Sequence, residues 1–266
     1  MAKLKGKIIK GQVNNMVYRE YRGEQIVQSV PRIKKKNRTE GTKKAATVFG
    51  KATKLAAQIR AGLHHTTARY YDGTMIYRLS AEILHCLNSA KDSETQTFNL
   101  KEDSFRSLLG FEFNLGSPIK SNLLVHPNIT LEDTALKVEI PELKIPIELK
   151  FPEDRLDRCR IMIANTQIDL VNKQTYSPLP QLMDIPYTYQ PTLVPGQTFE
   201  FEVVPGCLCI TAISLLYINS SFGGDVIVNS KIFNPAAIVH AFISEGTNAD
   251  PGEERWTPHS YLSEGL

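Results

Sequence analysis

Cys207 and Cys209 are the first candidates for chemistry in this chain, because alternate residues of a strand share a face and would bring two thiols together. A structural zinc needs about four ligands, usually two Cys-x₂₋₄-Cys pairs or added histidines in register. Cys86, Cys159 and His240 follow no such spacing. The thiols therefore read as small buried apolar side chains. His64-His65 follows the first expected helix, where a helix C-terminus favours cations without any catalytic duty. No Ser or Cys elbow accompanies it. Asp154, Asp157 and Asp169 surround an expected strand pair and read as solvated loop acids. Paired hydrolytic carboxylates would need a fixed separation of roughly 5 to 9 Å, which spacing along a chain does not supply. The stretch from Phe49 to Lys54, FGKATK, holds a Gly-Lys but no Gly-rich cradle, so it reads as helix surface. The expectation is a protein with no catalytic residue, no metal, no cofactor and no small-molecule substrate.

The stronger signal is charge. The formal net charge of +3 over 266 residues conceals an asymmetry. Residues 1–70 carry seventeen Lys and Arg against Glu20, Glu24 and Glu40, about +14, and residues 71–266 carry about −11. Seven of the basic residues fall between Val30 and Lys44. Arg19, Arg22, Arg32, Lys34, Lys35, Lys36, Arg38, Lys43, Lys44, Lys51 and Lys54 form the candidate surface for a polyanion or a partner. Such side chains neutralise phosphates with little demand on geometry and release counterions. Tyr18 and Tyr21, set among Arg19 and Arg22, add candidate stacking surface for single-stranded nucleic acid. A solvated face is the bland reading. Docking on the acidic body of a neighbouring copy is the other functional one.

These residues must be positioned by the elements around them. Residues 13–30 read as a hairpin turning at Arg22-Gly23 and ended by Pro31, which lacks an N–H. The basic stretch that follows cannot bury itself. Ala45, Val48, Ala52, Leu55, Ala56, Ile59 and Leu63 then fall at helical spacing, with Gly62 as a stop. A second helix is expected over about 74–88, and a shorter helical piece near EDSFRSLLG. From about residue 120 the pattern alternates: Leu136, Val138 and Ile140, a phase shift at Pro141-Glu142, then Leu143, Ile145, Ile147, Leu149 and Phe151. Further strands are expected in CRIMIANTQIDLV, TFEFEVV, GCLCITAISLLYI and AAIVHAFIS, the third resembling a central strand covered on both faces.

The predicted fold class is α+β, with a basic N-terminal hairpin and arm, two or three helices and an antiparallel β-sandwich. The expected segments are 1–40 for the hairpin and arm, 41–118 helical, 119–245 sandwich, and 246–266 a flexible tail that Trp256 and Tyr261 could anchor on a neighbour. No signal-like apolar stretch follows the N-terminal lysines, and no run approaches the roughly twenty apolar residues of a membrane span. A cytoplasmic location or an assembled particle is expected, without membrane insertion.

Gly6, Gly11, Asn15, Val17, Tyr18, Gly23, Ser29, Pro31, Arg32 and the helix over 43–63 resemble the opening of a Bacteroidota family of uncharacterised proteins. The final AAIVHAFISEG is similar to that family's last strand, which closes an immunoglobulin-like β-sandwich. The resemblance implies architecture and lineage, and no activity.

The function expected from these readings is a non-enzymatic structural or assembly protein, virion-like or filament-like. Its basic arm would bind a polyanion or other copies of itself. A nucleic-acid-binding accessory protein, ribosome- or DNA-associated, is the alternative. A carbohydrate- or ligand-binding sandwich is the third, and it requires aromatics clustered on an exposed face, which the linear sequence does not display.

Overall fold

The computed structural model describes residues 3–21, 24–30, 39–67, 70–92, 95, 97–152, 156–249 and 254–258. The chain divides into two compact units, Met1–Lys44 and Ala45–Leu266.

The N-terminal unit is a four-stranded antiparallel meander of β1 (Lys3–Lys5), β2 (Ile8–Val13), β3 (Met16–Tyr21) and β4 (Glu24–Ser29), paired in chain order. Its two described turns use residues at positive φ, Gly6 at 65° and Asn14 at 50°, as tight hairpins of right-twisted strands require. Register places Val13, Met16 and Ser29 in one row and Gly11, Tyr18 and Val27 in the next, on the same face. Val17, Arg19, Tyr21 and Ile26 occupy the other face. No residue of β2, β3 or β4 is buried. Val13, Met16 and Val27 are 47%, 52% and 50% exposed. The Gln25 side chain braces the sheet across β3, accepting from Ile9 N at 2.7 Å and donating to Ile9 O at 2.9 Å.

The second unit starts within α1 (Glu40–Gly62), followed by α2 (His64–Thr67) and α3 (Met75–Ser89). The strands are β5 (Asn128–Glu132), β6 (Ala135–Ile140), β7 (Leu143–Ile145), β8 (Arg158–Asp169), β9 (Gln174–Tyr176), β10 (Gln181–Pro186), β11 (Thr192–Val194), β12 (Gln197–Glu202), β13 (Leu208–Ser221), β14 (Gly224–Ile227), β15 (Ala236–Ile243) and β16 (Thr257–Pro258). A seven-stranded antiparallel sheet runs β14-β13-β8-β9-β16, with β10 added to β8 and β15 to β13. Its two faces bury different cores. Cys159, Ile161, Ile163, Ile213, Leu215 and Tyr217 pack with side chains of the β12-β6-β5 and β11-β7 sheets, as in a sandwich. Ala164, Ile168, Leu208, Ile210, Ala212 and Ile238 instead meet Leu55, Ile59, Met75, Leu79 and Ile83 of the helices. The fold is α+β, and β13 is buried along its first eleven positions because both its faces are covered. The helices and the sheets share this second core, so the helical segment and the sandwich lie in one compact unit.

Three local outcomes differ from the alternation pattern. The strand expected over 143–151 ends at Ile145, because Pro146 cannot donate to the ladder. The helical piece near 102–110 is a 3₁₀ turn at Arg106–Leu108. Residues 254–258 of the tail are docked on the chain's own body: β16 pairs with β9, Trp256 is 6% exposed, and its ring lies 5.9 Å from that of Tyr176. Tyr261 lies outside the described residues.

Candidate polyanion and assembly surface

Arg22, Arg32, Lys34, Lys35, Lys36 and Arg38 lie outside the described residues. Arg19, Lys43 and Lys44 are exposed, and Lys43 pairs with Glu40 at 2.7 Å within the first turn of α1. Lys51 and Lys54 are half-buried, and the Lys51 ammonium lies 4.9 Å over the Phe98 ring. Tyr18 and Tyr21 do not form one platform. Three residues apart in a strand, they point to opposite faces, and the Tyr18 hydroxyl lies 3.7 Å from the Met16 sulfur. Residues 1–44 hold thirteen Lys and Arg against three Glu, a net of +10, which leaves −7 for residues 45–266.

The body carries its acids in two ways. Some are matched: Arg158 bridges Asp225 and Asp184, and Arg160 grips Asp184 with two hydrogen bonds of 2.6 and 2.8 Å. Arg160 in turn holds the Asp184 carboxyl below its ordinary range, although burial opposes this. Others have no ion-pair partner among the described residues. Two neighbouring cavities of about 270 and 380 Å³ share Glu102 and Phe242. Asp103, Asp133 and Glu245 add carboxylates to their lining, Leu109 and Leu131 add exposed apolar surface, and Arg106 is the basic lining residue. His240 lines the second cavity, its Nδ1 has no hydrogen-bond partner among the described residues, and burial lowers its pKa against the pull of Glu102.

The residues tested for catalysis have structural surroundings. Asp169 is buried, a correction to the solvated reading. Its carboxylate accepts from Val171 N, Asn172 N, Asn172 Nδ2 and Asn248 Nδ2, which outweigh the opposing effect of burial and lower its pKa. Asp157 lies just before β8 and accepts from Ser220 N at 2.5 Å, whereas Asp169 ends that twelve-residue strand. At roughly 3.3 Å per residue the two acids are far beyond any hydrolytic pairing. Asp154 lies outside the described residues. The His64 and His65 rings are exposed with centroids 3.7 Å apart, and partial burial, then His64, lowers the His65 pKa. Cys207 and Cys209 are buried free thiols. Among the described residues, no group of three or more His, Cys, Asp or Glu is placed to hold a metal ion. No helix there is long and apolar enough to cross a membrane.

Sequence reading missed one cluster. Phe151, Tyr187 and Tyr189 form a row of rings with centroids 4.5 and 5.1 Å apart, the first pair tilted and the second edge-to-face, and Tyr189 is 77% exposed. Tyr187 and Tyr189 were visible as alternating aromatics, but Phe151 reaches them only through the fold.

No family model, curated protein or solved structure matches this chain.

Proposed function

We propose that this chain is a structural subunit whose basic N-terminal unit fastens it to an acidic polymer or to neighbouring copies. The observation that carries this reading is an N-terminal unit of net charge +10 whose sheet has no buried side chain in β2, β3 or β4. Ordering a residue's backbone costs about 1–2 kcal/mol, and small sheets repay it by burying an apolar face. Here that face is half exposed at Val13, Met16 and Val27. A surface of this composition suits attachment better than turnover. The abundance of Lys and Arg suits phosphates or carboxylates equally, which makes the ligand a matter for measurement.

Light scattering coupled to size exclusion, with and without nuclease and high salt, tests the proposal. The expected result is a large assembly or co-purifying nucleic acid seen as a raised 260/280 ratio. A clean monomer free of nucleic acid at all salt concentrations overturns it. Where nucleic acid is bound, replacing Lys34, Lys35 and Lys36 by Ala should flatten the salt dependence of binding by up to roughly three.

A further inference from the structure

We infer that the assembly is head-to-tail, with the Val13–Met16–Val27 face of one copy seated on the Phe242 groove of a second copy. The inference rests on the assembly reading above and adds its partner, its two surfaces and its symmetry class.

The sheet face offers apolar surface to a partner. Val13, Met16 and Val27 project from adjacent rows on one side of the meander, with Tyr18 between them. The simplest cover would be the same face of another copy, in a two-fold contact. Charge argues against it, because that contact would bring two +10 units together. The complementary surface is the body, with its net charge of −7. Within the body, the two adjoining cavities around Phe242 combine an apolar lining with carboxylates that lack ion-pair partners among the described residues. Leu109 is 55% exposed and Leu131 42%. Glu102, Asp103, Asp133 and Glu245 surround them. Apolar side chains entering this groove would bring the basic N-terminal unit of the incoming copy near its acidic rim, which matches both chemistries at once.

A contact between two different surfaces is heterologous. It repeats from copy to copy and ends only by closing into a ring or by running out of subunits. This gives a test by complementation that a two-fold contact cannot pass. One full-length variant carries Val13→Thr, Met16→Thr and Val27→Thr, which removes apolar surface while keeping side chains compatible with a strand. The other carries Glu102→Lys and Glu245→Lys. Each alone is expected to run as a monomer, with far-UV circular dichroism unchanged. Mixed in equal amounts they should form a 1:1 dimer and nothing larger, because one intact face meets one intact groove. Val17→Thr with Ile26→Thr, on the opposite face of the sheet, should assemble like the parent chain.

Assembly of either first variant at parental size, or a mixture that stays monomeric, overturns the head-to-tail contact while leaving the subunit reading intact. Failure of the parent chain to assemble or to bind nucleic acid fails the subunit reading itself.

Discussion

Asn229 Nδ2 donates to Asn234 Oδ1 at 2.8 Å in a site from which solvent is excluded, and between them the two amides hold three parts of the fold. Asn229 accepts from Tyr217 N and donates to Leu215 O, both on β13. Asn234 Nδ2 donates to the carbonyls of Thr67, the last residue of α2, and of Tyr70 beyond it, and its backbone N–H donates to Ser117 Oγ. Every donor of the Asn234 amide has a partner. Asn234→Leu fits the volume but strands two carbonyls and the Asn229 amide, and each such group costs about 1–3 kcal/mol. We expect a loss of about 3 kcal/mol in urea unfolding with an unchanged m-value. A loss below about 1 kcal/mol would mean that the network is dispensable.

Two glycines of α1 should respond to the same substitution with opposite signs. A Cβ on Gly50 would meet nothing within 4 Å, so Gly50→Ala gains helix propensity and should stabilise by up to about 1 kcal/mol. A Cβ on Gly62 would lie 2.1 Å from Thr166 Oγ1 and 2.8 Å from Thr166 Cβ, where the helix end meets β8. Overpacking of this type costs about 1–3 kcal/mol, which outweighs the propensity gain. Thermal midpoints should therefore move up for Gly50→Ala and down for Gly62→Ala. Movement in one direction for both would refute the close approach at Gly62.

Local periodicity was legible in the sequence, and long-range coverage was not. Val48, Ala52, Leu55 and Ile59 announce α1, and Leu136, Val138 and Ile140 announce β6, because each buries one face at its own period. The short strands β9, β11 and β14 carry too few apolar residues for an alternation to register. Asp169 looks like a loop acid because one of its partners, Asn248, is 79 residues away. Trp256 looks like part of a free tail for the same reason, since Tyr176 belongs to a different hairpin. The basic character of the N-terminal unit was plain, but the groove draws Glu102, Asp133 and Glu245 from three separated segments, and no local pattern connects them.

The four thiols should be silent in the native protein. Cys86, Cys159, Cys207 and Cys209 are all buried and free. Burial, reinforced by Asp169, pushes the Cys207 thiol up to about 12, and burial also raises the other three. Only the thiolate attacks a disulfide reagent, so at pH 8 almost no reactive species is present. A chromogenic disulfide reagent should report no fast-reacting thiol in buffer and four in denaturant. A rapid native reaction at any one of them would show that its segment opens to solvent.

Asp72 gives the fold a pH dependence with a definite sign. Burial raises its pKa, but Thr74 donates to the carboxylate from both Oγ1 at 2.6 Å and N at 2.7 Å, Leu115 N donates at 3.2 Å and Arg78 Nη2 at 2.6 Å. The donors win, and the carboxyl falls to about 2. Arg78 is itself fixed by Glu112 O at 2.9 Å and by the Phe111 ring, so the ion pair joins the start of α3 to the loop before β5. A folded-state pKa below the unfolded value means that the ionised carboxylate contributes stability above the ordinary carboxylate range. That contribution is lost as pH falls from about 4 to about 2, where both states become protonated. Asp72→Asn should therefore unfold at lower urea than the parent chain at pH 7, with a gap that stays constant down to about pH 5 and closes near pH 2. A gap of constant size through that range would assign the effect to packing and remove the Asp72 charge from the account.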